Sequence, residues 1–161
     1  MSDFKALLNK LISSPQDTMV TINNEQKVIN GVVRLCSKNS IDEEYVKVAF
    51  ADHTGLLLLL GSEEVYSSKL LGTAPGITDD MVGQKEVTYD GRLFSLENKD
   101  DYQFVKQLYY GGPLDAETEC RFSDYASTDE SGQTLSLGWM THNNERADVV
   151  CTKIDLKDIN I

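Results

Sequence analysis

The sequence predicts a mainly β protein, β-rich α+β in class, folded as an antiparallel barrel or sandwich with an amphipathic helix at its N-terminus. Three observations carry this. Turn signals recur about every 8–12 residues between short apolar runs, the spacing of all-β folds. Only the first segment has a helical apolar period. The stretch Tyr45 to Gly61, YVKVAFADHTGLLLLLG, reads as a hairpin, with two apolar-rich arms around the turn-prone Asp52-His53-Thr54-Gly55. Its second arm, Leu56 to Leu60, is apolar on both faces and is expected to be buried on both.

Taken in order, residues 2–13 form the helix. Ser2 is its N-cap, Phe4, Leu7, Leu8, Leu11 and Ile12 make one apolar stripe, and Pro15 closes it. Strands follow: Met19 to Ile22, a turn at Asn23-Asn24, then Lys27 to Cys36, where Gly31 predicts a bulge. Asn39 to Asp42 is a polar connection ahead of the central hairpin. Ser62 to Gly72 is ambiguous, since Ser62-Glu63-Glu64 could cap a short helix ending at Gly72, whereas Val65 and Tyr66 suit a strand. Residues 73–83 read as a loop with one helical turn after Thr78-Asp79-Asp80. Glu86 to Leu96 is a second hairpin around Asp90-Gly91, a type I′ pairing. Asn98 to Asp101 is expected to be a polar turn, and Tyr102 to Tyr110 an aromatic strand ended by Gly111-Gly112-Pro113. Glu119 to Ala126 and Thr134 to Thr141 are expected to pair across the turn at residues 128–132. After a turn at Asn143-Asn144, the apolar run from Ala147 reaches the end.

The central hairpin has an echo. Gly55 to Gly61 and Gly132 to Gly138 both fit G-x-x-L-x-L-G, and each follows an aromatic-Ala strand end, Phe50-Ala51 and Tyr125-Ala126. The expectation is one domain of two related β units, 18–72 and 84–161, joined by residues 73–83, each burying its Leu-Leu face against the other. Val87-Thr88-Tyr89-Asp90-Gly91, the Tyr125 strand and Leu135-Ser136-Leu137 leading into Trp139 give the last two-thirds of the chain a resemblance to small uncharacterised bacterial β proteins classed as domains of unknown function. That resemblance implies no activity.

Charge narrows the partners. The 161 residues carry −11; residues 1–72 hold 7 Lys+Arg against 9 Asp+Glu, and residues 73–161 hold 8 against 17. Such a field repels phosphate backbones and anionic lipid, so neither nucleic acid nor a membrane is an expected partner, and a basic protein is. Homodimerisation stays open. Cys36, Cys120 and Cys151 are odd in number and far apart, which predicts reduced thiols and neither zinc nor a disulfide framework. Asp3 and Lys5 break any leader-like apolar run, and no run approaches the about 18–20 apolar residues of a membrane helix, so a cytoplasmic protein is expected.

No motif carries chemistry. His53 and His142 lie in turns, without HxH, HxxxH or HExxH spacing, and no phosphate loop occurs, so no cofactor or metal is expected. The acidic pairs lack calcium-loop spacing. Cys36 and Cys151 sit in apolar runs as inert thiols. What remains is a surface of acidic and aromatic residues, Asp100, Asp101, Tyr110, Asp129, Glu130 and Trp139, with Tyr110 and Trp139 at one rim as anchors. The reading this supports is a non-catalytic acidic interaction module: an adaptor, an inhibitor or an immunity-type protein. A small-molecule or lipid carrier with a β-lined cavity and a carboxylate-based enzyme are the alternatives.

Overall fold

A computed structural model describes residues 3–38, 43–111 and 119–161, so Ser2, the connection at 39–42 and Gly112-Pro113 lie outside the described residues. Helix α1 (Asp3–Ser13) precedes β1 (Met19–Ile22), β2 (Glu25–Ser37), β3 (Glu44–Phe50), β4 (Thr54–Leu59) and β5 (Glu64–Gly72). A loop with a 3₁₀ turn at Asp79–Met81 leads to β6 (Glu86–Tyr89), β7 (Arg92–Tyr110), β8 (Cys120–Ser127), β9 (Gln133–Met140), β10 (Asp148–Ile154) and β11 (Ile159–Asn160). All pairings are antiparallel. Eight strands close a ring in the order β2-β3-β4-β5-β10-β9-β8-β7, with β7 returning to β2. Barrel is thus the architecture, and no described helix is long and apolar enough to cross a membrane.

The topology runs twice through one sequence of elements. A four-residue strand turns tightly into a long strand, β1 into β2 and β6 into β7, and a meander of three more strands follows. Both tight turns have two residues at positive φ, Asn23 and Asn24 at 50° and 68°, Asp90 and Gly91 at 51° and 73°, as a type I′ turn requires. Each long strand then uses one edge for two partners. β2 pairs first with β1 and then with β7, while β7 pairs first with β6 and then with β2. The short strands therefore leave the ring and fold over its outside.

Those flaps explain the two apolar clusters. In the first, Phe4, Leu7 and Leu11 of α1 meet Val20 and Ile22 of β1, Val46, Val48 and Phe50 of β3, and Leu56 and Leu58 of β4. An 11-residue helix is not stable alone in water; burying those three side chains contributes on the order of 5–8 kcal/mol before ordering entropy is deducted. The second cluster joins Ala74 and Ile77 of the 73–83 loop and Val87 of β6 to Phe94, Tyr125, Leu135 and Leu137. The Tyr125 hydroxyl fixes that loop, donating to the Gln84 carbonyl at 2.7 Å and accepting from Gly83 N–H at 2.9 Å.

Several expectations are settled or corrected. The choice left open for Ser62–Gly72 falls to the strand, β5 starting at Glu64, because it pairs with both β4 and β10 where the ring closes. Asn98–Asp101 is no turn: β7 runs through it, with Asp100 at φ 57° and two register shifts against β8, a bulge lying between the part of β7 that pairs with β6 and the part that pairs with β2. The two Leu faces do not meet, since Leu58 lies in the first cluster and Leu135 and Leu137 in the second. β4 is fully buried only on the side of Leu56 and Leu58; Leu57 and Leu59 are half-buried.

Asp148 pins the second flap to the wall. It is 0% exposed and accepts from Ala74 N–H at 2.7 Å, Gly138 N–H at 3.1 Å and Arg146 Nη2 at 2.5 Å, while Arg146 also reaches Asp79 at 2.9 Å. Asp148→Ala leaves a mostly buried guanidinium and two amides without their acceptor, and is expected to lower urea-unfolding stability by about 3–5 kcal/mol. Gly138→Ala is expected to lower the melting temperature, because its methyl would stand 1.9 Å from the Arg121 carbonyl oxygen.

Candidate functional site within the barrel lumen

Period-2 alternation assigns each strand's two faces. On β3, Val46, Val48 and Phe50 face α1, outside the ring, so Tyr45, Lys47 and Ala49 face inward. Cross-strand pairing carries this to the neighbours: Leu35, Tyr45 and Leu59 form one inward row, and Val33, Lys47 and Leu57 the next. Opposite, Leu135 and Tyr125 pack outward, so Asp124, Ser136 and Val149 line up inward, with Thr134 and Cys151 in the adjacent row. The lumen thus has an aliphatic wall bearing Lys47, Tyr45 and, beside Leu57, Tyr66, facing a wall that carries Asp124, Ser136 and Thr134 together with Val149 and Cys151.

Electrostatics agree with this geometry. Burial raises the pKa of the Tyr45 phenol well above its usual range, and Cys120, Asp124, Cys151 and Asp101 add to the rise, although none lies on a strand adjacent to β3. Groups separated that far around the ring interact only across its axis. Burial pushes the Asp124 carboxyl up to about 6; its bond from the Ser136 hydroxyl at 2.7 Å opposes this, while Asp101, Glu43 and Glu97 reinforce it. Burial likewise pushes the Cys120 and Cys151 thiols up to about 12, with Lys47 opposing in both. These thiols are protonated at neutral pH and are not nucleophiles.

Two features distinguish the lumen from the two outer apolar clusters. Some of its residues are partly exposed, Tyr45, Lys47, Leu57, Leu59, Asp124 and Ser136 among them, while inward Val33, Leu35, Cys120 and Cys151 are buried, as the helix-facing Leu56 and Leu58 are. Many inward positions are also small, including Ala49, Ser68, Ala126, Ser136 and Gly138. An eight-stranded ring is just wide enough to be filled by side chains or to hold one small ligand, and small inward residues favour the second. Asp101 is different: 1% exposed, it accepts from Ser37, from Asn98 at 2.8 Å and from Gln103 at 3.1 Å. It braces the wall.

The six residues expected to form one surface are dispersed. Asp101 is inside the barrel, and the Tyr110 hydroxyl donates to the Leu11 carbonyl at 3.0 Å, holding the helix end. Asp129 and Glu130 are exposed in the β8–β9 turn, where Asp129 pairs with Arg92 at 2.7 Å. Only Asp100 and Trp139 come near each other, joined through Arg121, which pairs with Asp100 at 3.2 Å and stands 5.2 Å from the Trp139 ring centre. His53 and His142 are exposed in turns, and among the described residues no group of His, Cys, Asp and Glu is arranged for a metal. Sequence reasoning missed Tyr45, Lys47 and Asp124. The available signal was the polar side of Tyr45 to Phe50, which in an open sheet would simply be the wet face.

Two measurements follow. An aromatic disulfide reagent is expected to titrate half-buried Cys36 first, with Cys120 and Cys151 reacting only after denaturation. Because Asp124 has its pKa near 6 in the fold and about 3.9 unfolded, its contribution to stability is full below the lower value and lost as pH rises through the upper one. Urea melts should therefore show the wild type losing stability relative to Asp124→Asn between about pH 4 and 7; parallel curves would contradict a desolvated carboxyl.

No curated protein and no solved structure gives a match to the chain. Residues 15–148, from just after α1 to the Asp148 pin, match the family described as a domain of unknown function, DUF4178. The chain, with its doubly flapped barrel, belongs to the DUF4178 family.

Proposed function

We propose that the protein is a non-catalytic binding barrel that takes a small molecule into its lumen. The observation that carries this is the inverted use of its apolar residues. Both apolar clusters lie on the outside of the ring, under α1, β1 and β11 on one side and under β6 and residues 74–82 on the other. The inward face is mixed in polarity, with small Ala49, Ser68, Ala126 and Ser136 among larger residues such as Leu35, Tyr45 and Leu57. A barrel stabilised from outside does not need a filled interior, and a concave, part-apolar space with a few convergent polar groups is the usual form of a ligand site.

A basic-protein docking surface has less support, since Asp101 and Tyr110 are spent internally and the other four residues divide between two places, Asp100 with Trp139 and Asp129 with Glu130. One observation favours carboxylate acid–base chemistry as a second reading: Asp124, raised to about 6, shares the lumen with Asp101. Against it, Asp101 is locked by three donors, and a general acid or base must be within reach of a substrate proton.

The test is a titration with uncharged N-phenyl-1-naphthylamine, whose emission rises in apolar surroundings. Saturable binding of one probe per chain is expected, abolished by Ser136→Phe and by Thr134→Phe, each inward on β9, with circular dichroism unchanged. Equal binding by wild type and both filled variants would place the probe elsewhere and defeat the proposal.

A further inference from the structure

Lys47 and Asp124 share the lumen without pairing. Lys47 stands on β3 and Asp124 on β8, strands that are not neighbours in the ring. Among the described residues, Lys47 makes no ion pair and no hydrogen bond, so its ammonium is more than 4.0 Å from every described carboxylate oxygen. Asp124 has one neutral partner, the Ser136 hydroxyl at 2.7 Å. The contrast with Asp101 is informative, since that carboxylate collects three donors in the same interior. Two opposite charges thus face inward, Asp124 with one neutral partner and Lys47 with none among the described residues, and each is open to a complementary charged group.

Charge balance selects the joining group. A lone anion would meet Lys47 but face Asp101 and Asp124, and a lone cation would meet Asp124 but leave Lys47 unsatisfied. A molecule carrying both an ammonium and a carboxylate satisfies both walls and adds no net charge. The surroundings specify the remainder, because Lys47 lies between Val33 and Leu57, and Tyr45 between Leu35 and Leu59. Building on the lumen reading of the preceding section, we infer that the ligand is a small zwitterion with an aliphatic body, an amino acid in chemical class, whose carboxylate meets Lys47 and whose ammonium meets Asp124.

Calorimetry with four probes tests this: norleucine and 6-aminohexanoate, which carry both charges close together or far apart, and hexanoate and hexylamine, which carry one each. At least one zwitterion is expected to bind about tenfold or more tighter than either single-charge probe, the factor of one charge-assisted contact. Norleucine as the tighter would indicate adjacent charges in the ligand, and 6-aminohexanoate separated ones. Lys47→Met should weaken the zwitterion about tenfold and leave hexylamine unchanged, while Asp124→Asn should weaken it similarly and leave hexanoate unchanged. Lys47→Arg, which keeps the charge, should retain most of the affinity and controls for folding. Hexanoate or hexylamine binding as tightly as both zwitterions, or zwitterion affinity indifferent to Lys47→Met and Asp124→Asn, would overturn the assignment. If that happened while N-phenyl-1-naphthylamine still bound in the lumen, the zwitterion would be lost and the binding barrel would stand; if that probe also failed to bind, both would be lost.

Discussion

Closure at the β2–β7 seam is the constraint on which the rest of the structure depends. Two long strands share their edges there, and they cross closely enough that a Cβ on Gly111, at φ 95°, would lie 2.6 Å from the Gly31 Cα. Only glycine permits that approach in that conformation. Closure removes the exposed edges that an open sheet of this size would present. It also turns one face of every strand into a lumen wall and obliges the other face to find cover. α1 with β1 and β11, and β6 with residues 74–82, supply that cover.

Buried Asp148 and Asp101 and half-buried Asp124 show how hydrogen-bond satisfaction separates support from availability. Asp148, with two amides and Arg146, fastens a flap to the outer wall. Asp101, with three side-chain donors, ties β2 to the bulge in β7 from within. Asp124 has a single hydroxyl, and burial with the neighbouring carboxylates pushes its carboxyl up to about 6. Perturbed groups that line a concavity are where ligand chemistry is sought first, because the free energy that perturbs them is released when a complementary group arrives.

The local pieces were legible because their causes are local. Asn23-Asn24 and Asp90-Gly91 tolerate positive φ and so mark tight turns, and the α1 stripe has a helical period that no strand shares. The misread pieces share a different cause. Asn98–Asp101 uses the residue types of a turn, yet a bulge inside a strand needs the same ones. Tyr110 looks like a rim aromatic until the helix end it holds is seen. Leu56 to Leu60 is apolar on both sides because one side lies under α1 and the other forms the aliphatic wall of the lumen. That double character was visible, and its meaning was not.

The sequence by itself determined the strands, the tight turns, the amphipathic helix and the acidic balance, all set by neighbouring residues or by composition. Only the tertiary structure decided which face of each strand is inside. Alternation has a period of two and is indifferent to which face is covered, so Tyr45 and Lys47 could as well have faced bulk water. Ring closure and the placement of α1 outside it break that symmetry. They put Lys47 and Asp124 on the inward face of one ring across 77 residues of chain, an arrangement that no local pattern encodes.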